Sequence, residues 1–391
     1  MIEINNQCVG CAACQNICRY KAIKMLRNNE GFWYPKIDKN KCVKCNQCER
    51  VCPILKENIN SDFDYLIYAG YSNLVNKKMP CSSGAIYPIL IRCFFDNYPN
   101  GVAFGVKIEG KKVCHFEAFN YEEMIKGFGS KYVQSDLKDS FSKIKNYLQE
   151  EKNVLFSGTP CQTAALKTFL GGHLNEHLIT QTILCHGVAS PKVFERYLDN
   201  VEIKYGKKIE EISFRSKEYG WEKYGMKIYF EDNGQFFCES RQDTFHKAFG
   251  GDLALRNSCY NCKFKYPNYN ADIVLGDFWN VESICPEIYN DLGVSVIIIA
   301  SSKGLNLFNA MQKSLTIKQI DLSDIVKSQK GVIKGTPMNS KRAEFFENLD
   351  NENLDDLVNR LTRVPLIMKI RIGAGKVYRR LLSLILRRMI K

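Results

Sequence analysis

Apolar and polar positions along the chain change period several times, between the alternation of a strand and the 3.6-residue repeat of a helix. Residues 22–25 and 32–37 read as short strands around Asn28-Asn29-Glu30-Gly31, a turn by composition. The polar stretch 56–64 reads as a linker. Residues 65–69 and 101–108 then predict strands, 83–95 a helix and 136–148 an amphipathic helix. Residues 153–157 form an apolar strand that breaks at Gly158-Thr159-Pro160. A helix over 161–170 follows, with Pro160 near its first turn, where a missing N–H costs little. Residues 178–185 predict a buried strand and 192–201 a helix. Strands alternating with helices imply an α/β body. Beyond Lys204, residues 212–215 and 227–231 read as antiparallel strands, with Asp232-Asn233-Gly234 as a turn. Residues 271–275 and 294–300 return to apolar strands, and acidic helix-forming segments fill 341–361 before Pro365.

At 391 residues the chain has room for two or three units and a sizeable core. Seventeen cysteines would suit a disulfide protein only if it were short and secreted, and the start Met-Ile-Glu-Ile-Asn-Asn shows no signal peptide. A reducing, anaerobic cytoplasm is therefore expected. No apolar run is long enough to span a bilayer. The net charge of +13 is not spread evenly: residues 360–391 hold ten Lys or Arg and no Asp or Glu, leaving 45 basic against 42 acidic residues before them. A nucleic-acid surface over the body is thereby excluded, and no nucleic-acid partner is expected.

The cysteines carry the chemistry. Cys8, Cys11, Cys14 and Cys18 form a C-x2-C-x2-C-x3-C run, and Cys42, Cys45, Cys48 and Cys52 repeat it 34 residues later, with Pro53 directly after. Thiolates suit iron–sulfur clusters, and this spacing is that of a pair of [4Fe-4S] cubanes whose fourth cysteines cross over. One cluster takes Cys8, Cys11, Cys14 and Cys52, the other Cys42, Cys45, Cys48 and Cys18. Zinc would leave the third cysteine of each run unexplained. Arg19 stands where the first run would have its proline. Four more cysteines occupy suggestive places: Cys161 at a strand-to-helix turn, Cys185 at a strand end, and Cys259 and Cys262 in a C-x2-C. They can converge on a tetrahedral site, and their spacing fits zinc or [4Fe-4S] equally.

Seven motifs in order carry a resemblance: Cys81-Ser82-Ser83-Gly84-Ala85, Gly129-Ser130-Lys131-Tyr132-Val133-Gln134-Ser135, Phe156-Ser157-Gly158-Thr159-Pro160-Cys161-Gln162, Cys185-His186-Gly187-Val188-Ala189-Ser190-Pro191, Ser213-Phe214-Arg215-Ser216-Lys217, Cys259-Tyr260-Asn261-Cys262-Lys263 and Leu275-Gly276-Asp277-Phe278-Trp279. From residue 1 to about 310 the chain resembles the beta subunit of deazaflavin (coenzyme F-420) hydrogenases and dehydrogenases. The resemblance implies an FAD-binding α/β body with its own [4Fe-4S] cluster on Cys161, Cys185, Cys259 and Cys262. It places the flavin at Ser82-Ser83-Gly84, Ser130-Lys131-Tyr132 and Gly158-Thr159-Pro160. Glycines there would let backbone N–H groups approach the cofactor, and Lys131 would neutralise phosphate charge. Ala85 and Cys81 depart from the glycine and serine frequent in that family. His186 and Cys81 read as structural, and no catalytic acid or base is named.

The reading is of an α+β protein: a bacterial-type 2[4Fe-4S] ferredoxin unit (1–58), a larger flavin- and cluster-binding α/β body (62–340) and a helical segment with a basic tail (341–391). It would be an iron–sulfur flavoprotein oxidoreductase serving a redox partner protein or small-molecule electron carrier. The rival is a ferredoxin-type adaptor without flavin or turnover. In the tail, Val377, Leu381, Ile385 and Met389 recur every four positions opposite Lys376, Arg379, Arg380 and Arg387. That pattern fits an in-plane helix on an anionic membrane surface, and equally one packed on the body or docked on an acidic partner protein.

Overall fold

The computed structural model describes residues 6–56, 63–76, 79–172 and 176–363. The predicted membrane-surface helix of the tail lies outside them. Among the described residues no helix is long and apolar enough to cross a membrane.

The N-terminal unit repeats itself in its backbone as well as in its cysteines. Gly10 and Ala12 have positive φ (67° and 57°), and so do Lys44 and Asn46 (55° and 56°), each 34 residues further on. In each run this left-handed step turns the chain into a short helix, Ala13–Ile17 and Gln47–Arg50. Between them β1 (Ile23–Arg27) and β2 (Trp33–Ile37) pair antiparallel around the expected 28–31 turn.

The body is built on a mixed sheet. Its strands are β3 (Leu66–Ser72), β4 (Val102–Glu109), β5 (Lys112–Ala118), β6 (Val154–Gly158) and β7 (Leu178–Ile183). After β7 come β8 (Ile209–Ser216), β9 (Gly225–Phe230) and β10 (Gln235–Glu239), which form a separate antiparallel sheet, then β11 (Ile273–Asp277), β12 (Ser295–Ile299) and β13 (Leu315–Gln319). The large sheet runs β13-β3-β12-β11-β7-β6-β4-β5, parallel across β11-β7-β6-β4 and antiparallel elsewhere. Both faces are covered, so the central strands read as continuous apolar runs. Ala103, Leu155, Ile179, Ile273 and Ile297 meet helices Ile86–Asn97 and Ser302–Met311 on one face. Val102, Phe104, Val154, Phe156 and Leu178 meet helices Ser140–Gln149 and Pro160–Leu170 on the other. Helices Arg342–Asn348 and Leu354–Leu361 join the core of helices Pro191–Tyr205 and Thr244–Gly250 through Phe345, Leu349, Leu357 and Val358.

Two predicted helices start late. The helix expected from 83 begins at Ile86, because Ser83 and Gly84 are tied to β12 and its approach, and Ala85 sits at φ 59°. The helix expected from 136 begins at Ser140, because Asp136 bridges to β5.

The N-terminal unit is seated on the body. Cys11, Ala12, Ala13 and Val51 pack in the same apolar cluster as Phe104, Phe141 and Phe156. The β1–β2 turn lies on the start of helix Pro191–Tyr205: Ser190 Oγ donates to the Glu30 carbonyl, and Lys192 Nζ to that of Asn29 (3.0 Å). Glu30 in turn accepts a two-pronged bond from Arg342 (2.8 and 2.6 Å).

Candidate functional site

In the body sheet β3, β6, β7 and β11 run the same way, so their carboxyl ends share one edge, the usual place for ligands in such sheets. Cys161 opens the helix after β6 and Cys185 follows β7. Cys259 and Cys262 come from the short helix Asn257–Tyr260 and the turn after it. All four line one cavity with Val9, Gln134, Thr159, Pro160, His186, Arg256 and Lys265. Burial, aided by the neighbouring thiols, pushes Cys161 up to about 12 and Cys259 up to about 11. Cys185 and Cys262 are raised by burial as well. Four thiols held together in this way are a site whose thiolate form needs a bound cation.

The cysteines of the N-terminal unit are gathered as well. Cys18 lines one cavity with Cys42, Cys45 and Cys48. Cys52 instead shares its electrostatic surroundings with Cys8, and Cys14 with Cys8 and Cys52. Burial pushes Cys14 up to about 12. Cys11 and Cys14 are buried, whereas Cys45 is exposed, so the Cys18 set is the one that faces solvent. No disulfide joins the described cysteines. Among the described residues no three His, Cys, Asp or Glu side chains are grouped to hold a single ion.

The residues expected to hold flavin divide into two groups. Thr159 and Pro160 line the cysteine cavity, and Thr159 Oγ1 lies 3.2 Å from Cys161 Sγ. Ser82 and Ser130 meet elsewhere: Ser130 donates to Ser82 Oγ from both its N–H (2.7 Å) and its hydroxyl (2.8 Å). Several donors assigned to the cofactor are used within the protein. The Gly84 N–H donates to Ser295 Oγ (3.1 Å), Ser83 Oγ to the Val294 carbonyl (2.9 Å) and the Thr159 N–H to Gln162 Oε1 (2.9 Å). Gly84 is glycine for packing, since a Cβ there would lie 2.7 Å from the Gly70 carbonyl oxygen. The Gly158 carbonyl accepts from Thr182 Oγ1 (2.9 Å). Lys131 Nζ donates to the carbonyls of Gly127 and Phe128 (2.8 and 2.7 Å), and burial pulls its pKa down to about 7.

Beside Ser130 and Tyr132 lies a cluster to which the sequence alone gave no role. Arg215, its side chain 1% exposed, donates through Nη1 to Asp277, while its Nε and Nη2 are buried with no hydrogen-bond partner among the described residues. Its guanidinium lies over Tyr224 (4.3 Å) and Trp279 (5.0 Å). Trp279 stacks parallel on Trp221, whose Nε1 donates to Asp277 (3.0 Å). Arg215 and Asp277 both influence the Tyr132 hydroxyl, which burial raises well above its usual value. Tyr132 stacks on Phe249 (4.7 Å), and Phe249 touches His186, on the wall of the cysteine cavity (5.3 Å). An aromatic path thus joins this cluster to the thiols. His186 is held by Asp252 (2.7 Å), consistent with a structural role.

Residues 7–54 match the 4Fe-4S dicluster domain family, and residues 151–324 match the family that describes the C terminus of the coenzyme F420 hydrogenase/dehydrogenase beta subunit. The fold is similar to a chain of the F420-reducing [NiFe] hydrogenase complex from Methanosarcina barkeri, at 16% identity and a TM-score of 0.46, over 70% of this chain and 92% of that one. No curated protein matches the chain. The chain is thus an iron–sulfur electron-transfer protein related to the coenzyme F420 hydrogenase/dehydrogenase beta subunit: a 4Fe-4S dicluster domain precedes a body whose residues 151–324 match the C-terminal family of that subunit.

Proposed function

We propose that the chain is an iron–sulfur flavoprotein oxidoreductase, passing electrons between an organic donor or acceptor and three [4Fe-4S] clusters. A deazaflavin coenzyme is one candidate for the organic partner. The observation that carries this reading is the serial order of the cysteine sets. Val9, next to Cys8, lines the cavity of Cys161, Cys185, Cys259 and Cys262. The Cys8 set adjoins the Cys18 set, since Cys48 acts on both Cys14 and Cys52. The last set ends at the exposed Cys45, where a redox partner protein or small carrier can approach. Iron–sulfur sites in such an arrangement suit a reducing, cytoplasmic setting.

FAD belongs in this reading beside Ser82, Ser130, Tyr132, Arg215, Tyr224 and Trp279. The unpartnered Nε and Nη2 of Arg215 support it, because a carbonyl-bearing or anionic edge would satisfy donors that are otherwise buried at a cost of about 1–3 kcal/mol. Tyr224 and Trp279 hold the Arg215 guanidinium in place through their ring contacts. A flavin held there would supply two-electron exchange with an organic partner and one-electron exchange with the clusters. The protein's part is to orient it, with Asp277 fixing Arg215 and Trp221 fixing Asp277.

One observation favours the rival, a flavin-free electron-transfer adaptor: the donors of Ser83, Gly84, Thr159 and Lys131 are already satisfied internally. The test is flavin release by heat from anaerobically purified protein. The enzyme reading expects about one FAD per chain, lowered at least tenfold in affinity by Arg215→Met. No flavin, even after incubation with added FAD, establishes the adaptor.

A further inference from the structure

Two buried cations stand against the body cysteines, and among the described residues no carboxylate lines the cavity they share. Lys265, 4% exposed, donates through Nζ to the carbonyls of Cys185 and Gly331. Arg256, 1% exposed, reaches out of the body: its Nε donates to the carbonyl of Cys8 (2.8 Å) and its Nη1 to Gln134 Oε1 (3.3 Å). Tyr34 and Phe32 of the N-terminal unit pack against its guanidinium at 4.1 and 5.5 Å. Gln134 accepts from the Trp33 N–H as well (3.1 Å), so both body residues that receive the first cysteine loop also line the body cavity. The Nη2 of Arg256 is buried without a hydrogen-bond partner among the described residues.

A guanidinium in low dielectric with one arm unsatisfied is costly unless negative charge lies close by. The four cysteines provide that charge once they are thiolates. Arg256 lines the same cavity as all four of them.

We propose that Arg256 is a cation shared by two neighbouring clusters: anchored on the Cys8 carbonyl, it raises the reduction potential of the cluster on Cys161, Cys185, Cys259 and Cys262 and couples it to the cluster on Cys8, Cys11, Cys14 and Cys52. The proposal rests on the three-cluster reading above. Its physical basis is simple. Reduction adds one negative charge to a cluster, and a fixed cation held beside it favours that state. Among the described residues Lys44 is the one cation that lines the cavity of the Cys18 set, and Cys45 there is exposed, so water screens it. Electrons therefore settle first on the body cluster and last on the outermost one. Arg256 is a positioning residue for electron exchange and takes no part in bond making.

The experiment is an anaerobic redox titration of the reconstituted full chain, followed by electron paramagnetic resonance. The body signal is assigned by its loss in Cys262→Ser. Arg256→Gln should lower the reduction constant of the body cluster by at least about tenfold, ~59 mV for a one-electron couple. Iron content and the outermost cluster should stay as in the unmodified chain. Arg256→Lys keeps a cation but cannot hold the Cys8 carbonyl and face the thiols together, so it should give a smaller shift in the same direction. Full iron with an unchanged body potential in Arg256→Gln overturns the proposal, as does an equal shift of all clusters. If Arg256→Gln does not assemble, an unchanged potential in Arg256→Lys overturns it. An unmodified chain holding only two clusters refutes the three-cluster reading itself, which the iron count reveals before any potential is read.

Discussion

Gly31 offers a sharp test of how the N-terminal unit is seated. It lies in the β1–β2 turn at φ 87°, and a Cβ there would stand 2.3 Å from Lys192 Cβ, 2.8 Å from Ser190 Oγ and 2.9 Å from the Lys192 nitrogen. Real Cβ atoms do not approach so closely, and two of these three neighbours are a backbone nitrogen and the stiff base of a side chain. Gly31→Ala should therefore carry two penalties. The left-handed backbone costs a residue with a Cβ about 1–2 kcal/mol. Forcing the turn away from helix Pro191–Tyr205 adds about 1–3 kcal/mol, as overpacking usually does. Gly110 is the internal control, at φ 59° with nothing within 4 Å of its added Cβ, so Gly110→Ala carries only the first penalty. The difference between the two variants isolates the contact and should be about 1–3 kcal/mol. Anaerobic urea unfolding of identically reconstituted proteins, read by circular dichroism, measures it. If Gly31→Ala falls within about 0.5 kcal/mol of Gly110→Ala, the turn is not packed on the helix and the seating is wrong.

The Glu30–Arg342 pair joins the same turn to helix Arg342–Asn348, with side chains 25% and 7% exposed. A double-mutant cycle of Glu30→Gln and Arg342→Leu should give a coupling of about 1–3 kcal/mol, and a value near zero would remove the pair from the seating. Burial pushes His115 down to about 4, against about 6.5 unfolded, so the unfolded chain takes up a proton first as pH falls. Stability should be lost between pH 6.5 and 4, by up to roughly 3 kcal/mol, with part visible between pH 7.5 and 5. His115→Phe should flatten that slope, and an unchanged slope would show that His115 is not buried neutral. Lys131 is the converse case. Its folded pKa lies near 7, below the unfolded 10.5, so the burial cost is full below pH 7 and fades as pH rises above it. Lys131→Met should then be more stable than the unmodified chain at pH 6, by on the order of 1 kcal/mol, and lose that advantage by pH 9. A variant that is less stable at both values would mean that the carbonyls of Gly127 and Phe128 outweigh burial.

Local signals were legible where local physics decides the structure. The β1–β2 hairpin and its turn, the strand β6 and the helix opening at Pro160 all occur within a residue or two of expectation, because turn composition and proline fix them. The strands β5, β10 and β13 were not anticipated. Each is short and half polar, and each exists as a strand because of the neighbour it pairs with: β4, β9 and β3. The sheet order could not be read either, since β13 and β3 are joined only by a contact across most of the chain. At the site, the cysteine spacing carried the metal chemistry, but the residues that charge it did not stand out. Arg215, Arg256 and Lys265 look like ordinary surface cations in the sequence, and only tertiary packing buries them. Lys131 is a converse case. Its place in a glycine-serine loop suggested a phosphate contact, whereas the chain folds its ammonium back on the preceding carbonyls.

The central claim is that Cys161, Cys185, Cys259 and Cys262 hold a third cluster in series with the two of the N-terminal unit. Iron and zinc analysis of the full chain after anaerobic reconstitution tests it most directly. Three cubanes predict about twelve irons per chain and almost no zinc, whereas about eight irons with about one zinc would make the body site a closed tetrahedral one and break the path.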